Sequence, residues 1–380
     1  MTDASAEMVT AVLPAYLMYG LGVGYLQLGA LDGLYTGATA LFRLGGGYAA
    51  DRGGRPKAVA TCGYGISAVT KLGFLLVGAS AGGVGLLLAA DRTGKGIRTA
   101  PRDTLITLAA PEAQLGRAFG VHRAMDTAGA MLGPLLAFAV LLAVPGDFGT
   151  AFVVSFCLAV AGVLMLVFFV RPDRVPAARS RVRGLRECLA SLSAGGTRRV
   201  VVAAALLGLT TVGDMFFFVA VQQRLELSPR LLPLLPVGTA LVFMTAAVPL
   251  GRAADRIGRW RLFLLGHVLL LCGYLLVAAA PAGWSGLPSA AVLLGLHGLF
   301  YAATDGVLMA HVGPTIPARV RTTGLAVVQT AQALTRAGGA VAFGAAAAFA
   351  GLGTAFTAFA LALLLALLGA AALHTPWSSR

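Results

Sequence analysis

The sequence predicts an all-α polytopic membrane protein with 12 transmembrane helices in two pseudo-symmetric six-helix bundles. Composition, the spacing of apolar runs and an internal repeat carry that reading. Of 380 residues, 58% are apolar and 50 are glycine, while only 12% are charged, about half the ~25% of a soluble domain. Mean hydropathy is +0.84. These values exclude a disordered chain, a disulfide-rich secreted domain and a soluble enzyme.

A span needs ~20 apolar residues to cross ~30 Å of hydrocarbon. Helices are the economical solution, because the backbone must satisfy its own hydrogen bonds in lipid. Apolar stretches fall at roughly 1–21, 25–48, 57–79, 83–107, 118–143 and 150–170 under that rule. After a basic loop they resume at roughly 200–222, 231–250, 262–281, 286–311, 322–349 and 353–373. The expected organisation is an N-terminal bundle (1–170), a basic linker (171–199) and a C-terminal bundle (200–380).

The net charge of +14 raises nucleic acid as a partner until the bases are placed. Nineteen of them lie on one side of the predicted membrane: Arg52, Arg55, Lys57, Arg117, eight arginines between Arg171 and Arg199, Arg252, Arg256, Arg259, Arg261, Arg319, Arg321 and Arg380. The opposite loops carry only Arg224 and Arg230. The positive-inside rule puts both termini and the linker in the cytoplasm. The excess charge is topology, the lipid bilayer is its partner, and no nucleic acid is implied. The four cysteines (62, 157, 188 and 272) have no metal-ligand spacing, and three sit in apolar runs that read as packing positions.

The repeat lies between the second and third span of each half. Gly47-Tyr48-Ala49-Ala50-Asp51-Arg52-Gly53-Gly54-Arg55 returns 204 residues later as Gly251-Arg252-Ala253-Ala254-Asp255-Arg256-Ile257-Gly258-Arg259. Arg117 with Gly120 and Arg321 with Gly324 repeat at the same offset. Parallel duplication of this kind marks one group of secondary transporters.

The paired G-x-x-x-D-R-x-G-R loops resemble motif A of the major facilitator superfamily, and with the six-plus-six layout the resemblance covers essentially the whole chain. It implies that Gly47, Asp51, Arg52, Gly54, Arg55, Gly251, Asp255, Arg256, Gly258 and Arg259 form cytoplasmic latches. Asp91-Arg92-Thr93-Gly94-Lys95-Gly96-Ile97-Arg98 resembles the R-x-x-x-G motif of the fourth helix. Gly129-Ala130-Met131-Leu132-Gly133-Pro134 is similar to part of motif C, which is associated with antiporters and exporters. The runs 94–103 and 116–129 look like a bacterial branch of the superfamily whose first helix has a longer lead, so the native start is expected upstream of Met1. The superfamily's central cavity is lined by the first, fourth, seventh and tenth helices. Here those carry Asp3 and Glu7; Arg92, Lys95 and Arg98; Asp214; and His297 with Asp305.

The buried charges are read from the residues themselves. Ionisable groups within spans mark a pathway, a relay or an internal pair. Eight acids and eight bases qualify, and this balance suggests pairing. Asp91, Arg92, Lys95, Arg98, Arg102 and Asp103 fall within an arc of about 140° on the fourth helix. Arg92 and Lys95 sit ~14 to 18 Å from its outer end. The substrate- and proton-coupling candidates are Glu7, Asp32, Arg92, Lys95, Arg98, Asp126, Asp214 and Asp305. Asp214 has a bland alternative as partner of Arg336 or Lys71, and Asp126 as partner of Arg123 or of the fourth helix. Gly129, Gly133 and Pro134 form a helix-packing motif. Met125 reads as packing.

The sequence lacks a GxxxxGK[ST] loop, HExxH and GxSxG, so no ATP hydrolysis, metal chemistry or hydrolase activity is supported and no cofactor is expected. The expectation is a secondary transporter in the cell membrane, acting as a monomer on a small molecule, with proton antiport and export ahead of import. An importer or uniporter of an organic anion, or a non-transporting sensor or accessory protein, is the alternative.

Overall fold

The computed structural model describes residues 1–53, 55–77, 80–109, 115–170, 195–279, 284–312, 315 and 321–373. These residues form helices joined by short turns, and no strand occurs among them. In chain order the helices are α1 (Thr2–Ala15), continued by a π-helical turn (Tyr16–Gly20), α2 (Tyr25–Gly53), α3 (Pro56–Leu76), α4 (Ala81–Ala109), α5 (Leu115–Ala143), α6 (Phe148–Phe169), α7 (Gly195–Leu209), α8 (Asp214–Arg224), α9 (Leu235–Ile257), α10 (Arg259–Ala279), α11 (Gly286–Thr304), α12 (Val307–Val312), α13 (Arg321–Ala350) and α14 (Leu352–Ala372). A 3-10 turn, Pro229–Leu234, precedes α9. α7 and α8 are two parts of one span, as are α11 and α12.

Nine stretches among the described residues are long and apolar enough to cross a membrane on composition alone. α4 is not among them, because its charged face dilutes the hydropathy. The outer surface is apolar: Leu76 and Phe349 are each 87% exposed, as expected where the solvent is lipid. For the same reason an apolar run does not imply burial. Cys62, Cys157 and Cys272 are free thiols on exposed faces and Met125 is also exposed, which corrects their reading as packing residues.

Local chemistry sets the helix ends. Pro56 opens α3 at a position whose N–H has no partner in any helix. Asp147 caps α6, accepting from the Gly149 and Thr150 N–H groups. The Thr150 hydroxyl and these amides hold its carboxyl below the usual range, so this cap is present at neutral pH and fades as the pH falls through that lowered value. Gly258, at φ +100°, makes the turn that lets α10 begin immediately after α9.

The chain forms two compact units. The first comprises Met1–Val23, Leu34–Ser180 and Pro229–Val237, and the second Gly24–Gly33, Arg181–Ser228 and Gly238–Arg380. In the first unit α1 packs on α5 and α6, and α3 on α4 and α6. Ser5 and Ser155 exchange hydroxyl-to-carbonyl hydrogen bonds of 2.6 and 2.7 Å across α1 and α6. Tyr16 meets Phe148 and Phe152 edge-on, and Phe152 stacks on Phe74 at 4.8 Å. In the second unit α10 packs on α11 and α14, and α13 on α7 and α14, around Phe216, Phe343 and Phe356.

Gly129 and Gly133 bring α5 against α1. A Cβ on Gly133 would stand 2.6 Å from the Ala4 carbonyl oxygen and 2.7 Å from the Met8 nitrogen, and one on Gly129 3.1 Å from the Ala4 nitrogen. Pro134 is buried beside them. Gly133→Val is expected to force the helices apart and lower stability by about 1–3 kcal/mol, read as a fall in the thermal midpoint of the purified protein.

Candidate functional site

The first unit gathers its charges on α4. Lys95, Arg98 and Arg102 recur at i, i+3 and i+7, so they form one stripe along the helix. Asp3 and Glu7 recur at i, i+4 on α1. The close α1–α5 packing brings the two acidic faces together opposite the stripe. Lys95 Nζ lies 3.3 Å from Glu7 Oε1, Arg98 Nη2 3.5 Å from Asp3 Oδ1, and Arg102 Nη1 3.8 Å from Asp126 Oδ2. His122 Nε2 lies 3.2 Å from the same Asp126 oxygen. The result is a ladder of ion pairs, each about one helical turn below the last.

Behind the ladder lies a sealed cluster. Asp91 accepts from Lys71 Nζ at 3.2 Å and from Arg92 Nε at 3.0 Å, and Arg92 Nη2 reaches the same carboxylate oxygen. Lys71 also donates to the Ser67 carbonyl at 2.6 Å, and the Ser67 hydroxyl donates to the Asp91 carbonyl at 3.0 Å. The Arg92 guanidinium lies 4.1 Å from the Tyr35 ring centroid, and the Tyr35 hydroxyl is 2.6 Å from that of Thr10. Lys71, Asp91 and Arg92 are all buried. The first rung of the ladder is more open: the Lys95 and Glu7 side chains keep 31% and 27% exposure, whereas Arg98 is buried. Arg92, a candidate contact from the sequence, is buried in this cluster and paired with Asp91, and Lys71 pairs with Asp91 rather than with Asp214.

The second unit has its own constellation at the interrupted α7–α8 span. The break at Thr210–Gly213 is held by Tyr274, whose hydroxyl accepts from the Val212 N–H at 2.6 Å and donates to the Thr210 carbonyl at 3.4 Å. Asp214 follows the break. It accepts from the Tyr301 hydroxyl at 2.6 Å, with His297 Nε2 3.5 Å from the same oxygen. The His297 ring stacks on Phe217 at 4.1 Å, and its Nδ1 lies 3.3 Å from the Thr239 hydroxyl. Arg336 approaches Tyr301 to 5.7 Å from the ring centroid, and its Nε is buried without a hydrogen-bond partner among the described residues. Asp32 is buried against Gly213. Asp305 is exposed between α11 and α12.

Of the first repeated loop, Arg55 is exposed, whereas the side chains of Asp51 and Arg52, the surroundings of Gly47 and the whole of Gly54 lie outside the described residues. In the second loop Gly251 and Arg256 belong to the end of α9, the Asp255 side chain lies outside the described residues, and Arg259 donates to the Ala310 carbonyl at 2.8 Å at the end of α12. The side chains of Asp103 and Arg123 and the linker 171–194 also lie outside the described residues. Sequence reasoning missed Tyr35, Tyr274 and Tyr301. Their signal was a hydroxyl inside an apolar span, where it must find a partner. No group of three metal-ligating side chains occurs among the described residues.

Long apolar helices, some of them interrupted, with ion pairs between them, fit a membrane transporter. The model of the Major Facilitator Superfamily matches residues 1–340, and the chain belongs to that family. It is 29% identical over 347 residues to an uncharacterized MFS-type transporter of Methanocaldococcus jannaschii, covering 88% of this chain and 83% of the relative. An uncharacterized protein of Mycobacterium tuberculosis is 37% identical over 131 residues, or 34% of this chain and 32% of its own length. The fold is shared with the nucleoside transporter NupG, at a TM-score of 0.79 and 14% identity over 99% of this chain and 96% of that one. It is also shared with a bacterial homolog of the human lysosomal transporter Spinster, at a TM-score of 0.72 and 15% identity over 100% and 96% of the chains.

Asp91→Asn is expected to leave two buried cations short of a counter-charge and to cost about 3–5 kcal/mol. Glu7→Gln, at the partly exposed rung, is expected to change stability less than Asp91→Asn does, by about 1 kcal/mol. Thermal midpoints and size-exclusion profiles of the two purified variants check the contrast.

Proposed function

We propose that this transporter is a proton-coupled antiporter that exports a small solute by alternating access. In this reading the bundles 1–170 and 200–380 rock about a site near the membrane middle. Both termini and the arginine-rich linker face the cytoplasm, the protein lies in the cell membrane, and it works as a monomer. The observation that carries the proposal is the Glu7–Lys95 pair, 3.3 Å apart and partly open to water. Placing a proton on Glu7 would break this pair and free Lys95. If solute and proton compete for this rung, binding one expels the other, which is the requirement for exchange. The likeness of Gly129–Pro134 to part of motif C supports the export direction. The paired loops at 47–55 and 251–259 supply latches at one membrane face, with Arg259 on the Ala310 carbonyl as one such contact.

An importer or uniporter of an organic anion would use the basic stripe of α4 to hold its substrate. That stripe is already neutralised: Lys95, Arg98 and Arg102 each face a carboxylate. One observation favours the anion reading: the buried Arg336 Nε has no hydrogen-bond partner among the described residues.

The test uses everted vesicles energised to an acid interior, with a panel of compounds preselected by their stabilisation of the purified protein. A compound that is a substrate is expected to discharge the pH gradient through the native protein. Glu7→Gln is expected to lose at least about tenfold of this gradient-driven flux while retaining downhill equilibration. Uptake that is indifferent to the gradient would reject proton coupling.

A further inference from the structure

One buried carboxyl in the second unit stands outside the Asp214 constellation. Asp32 lies on the Gly24–Gly33 segment of α2, which packs within the second unit. That segment meets α13 backbone to backbone. A Cβ on Gly29 would stand 2.6 Å from the Ala340 carbonyl oxygen, and one on Gly33 2.8 Å from that of Ala337. Asp32 enters this contact with 5% exposure. Its Oδ2 occupies the space over Gly213, so close that a Cβ there would be 1.6 Å away. No hydrogen bond or ion pair joins its carboxyl to any described residue.

The charged groups around it are few. Asp214 on α8, next to Gly213, is the charge whose field reaches Asp32. Asp214 is in turn held by Tyr301 and His297 from α11, and the field of Arg336 on α13 reaches Asp214. The Gly24–Gly33 segment has no other ionisable acid or base in its own stretch apart from Tyr25. An ionised Asp32 would therefore be buried at membrane depth beside a second carboxylate and without a counter-charge, which is the costly arrangement. The neutral acid has no such cost. The glycine at 213 leaves room for the carboxyl and nothing more.

We infer that Asp32 is a proton-binding site, and that the Gly24–Gly33 segment docks on α8 and α13 with Asp32 in its acid form. Undocking exposes the carboxyl to water, to which it gives up the proton; docking takes one back from the same water. The docked state thus holds one proton more than the undocked state. Acid favours docking, and rising pH favours undocking. The inference goes beyond the antiport reading, since it requires neither a substrate nor Glu7.

The full chain in lipid nanodiscs provides the test, with the four native cysteines replaced by serine and spin labels on Leu26→Cys (α2) and Phe349→Cys (α13). Both positions are exposed. Pulsed electron–electron distance measurements are expected to give a short distance at pH about 5.5 and at least about a threefold larger long-distance population at pH about 8.5. Asp32→Asn is expected to keep the short distance across that range. Asp214→Asn, which removes the repelling charge, is expected to reduce the long-distance population at high pH. Should Asp32→Asn fail to fold, Gly213→Ala reads the same contact: its Cβ collides with the docked carboxyl, so the long distance should persist even at acid pH. Distances that ignore pH, an Asp32→Asn response equal to that of the native residue, or a fully docked Gly213→Ala would each overturn the inference. A pH-dependent distance without proton-driven flux in vesicles would remove the antiport reading and leave this site standing.

Discussion

Asp91 accepts hydrogen bonds from both Lys71 and Arg92 in a place that water does not reach, and the rest of the first unit is arranged around that contact. Neither base would remain there without it, because lone charges in a low-dielectric interior are strongly disfavoured. Fixing Asp91 and Arg92 inward sets the rotation of α4. The stripe of Lys95, Arg98 and Arg102 must then face α1 and α5, where Glu7, Asp3 and Asp126 wait. The α3–α4 contact that permits this is made by glycines: a Cβ on Gly63 would lie 2.7 Å from the Gly94 carbonyl oxygen.

Two kinds of charge therefore coexist in one small bundle. The Lys71–Asp91–Arg92 cluster is buried, and its Lys71–Asp91 pair ties α3 to α4. The rungs of the ladder are longer pairs, and the Glu7–Lys95 rung is partly exposed whereas Arg98 is buried. The second unit follows a different principle. Two of its acids stand at interruptions of helices, Asp214 directly after the α7–α8 break and Asp305 between α11 and α12. There the backbone leaves regular hydrogen bonding, and Tyr274 makes good the loss.

Much of the fold was legible in the sequence. Span positions followed from apolar run length, since the hydrocarbon thickness is a fixed ruler. The charged face of α4 followed from helical periodicity alone. The glycines of α5 were readable as a packing motif because small residues at i, i+4 leave room for another backbone. What they packed against was not readable, and neither was the division of labour among the acids. Asp91, Glu7 and Asp32 look alike in a chain: each is a carboxylate in an apolar run. The first is clamped by two cations, the second is paired with one and partly exposed, and the third has none among the described residues. Nor did apolar runs reveal that Cys62, Cys157 and Cys272 face outward, because lipid and protein interior are equally apolar.

The sequence by itself determined that this chain is a twelve-span helical membrane protein with a duplicated half, because bilayer thickness and helical period act on each segment locally. Only the tertiary structure decided which charge meets which. Pairing depends on how α1, α4 and α5 are rotated against one another, and on where α2 meets Gly213. Those are distances between residues 88 positions apart in the chain for Glu7 and Lys95 and 95 for Asp3 and Arg98, and no local rule encodes them. The scarce charges that first marked the chain as a membrane protein acquire their separate roles from the partners they find.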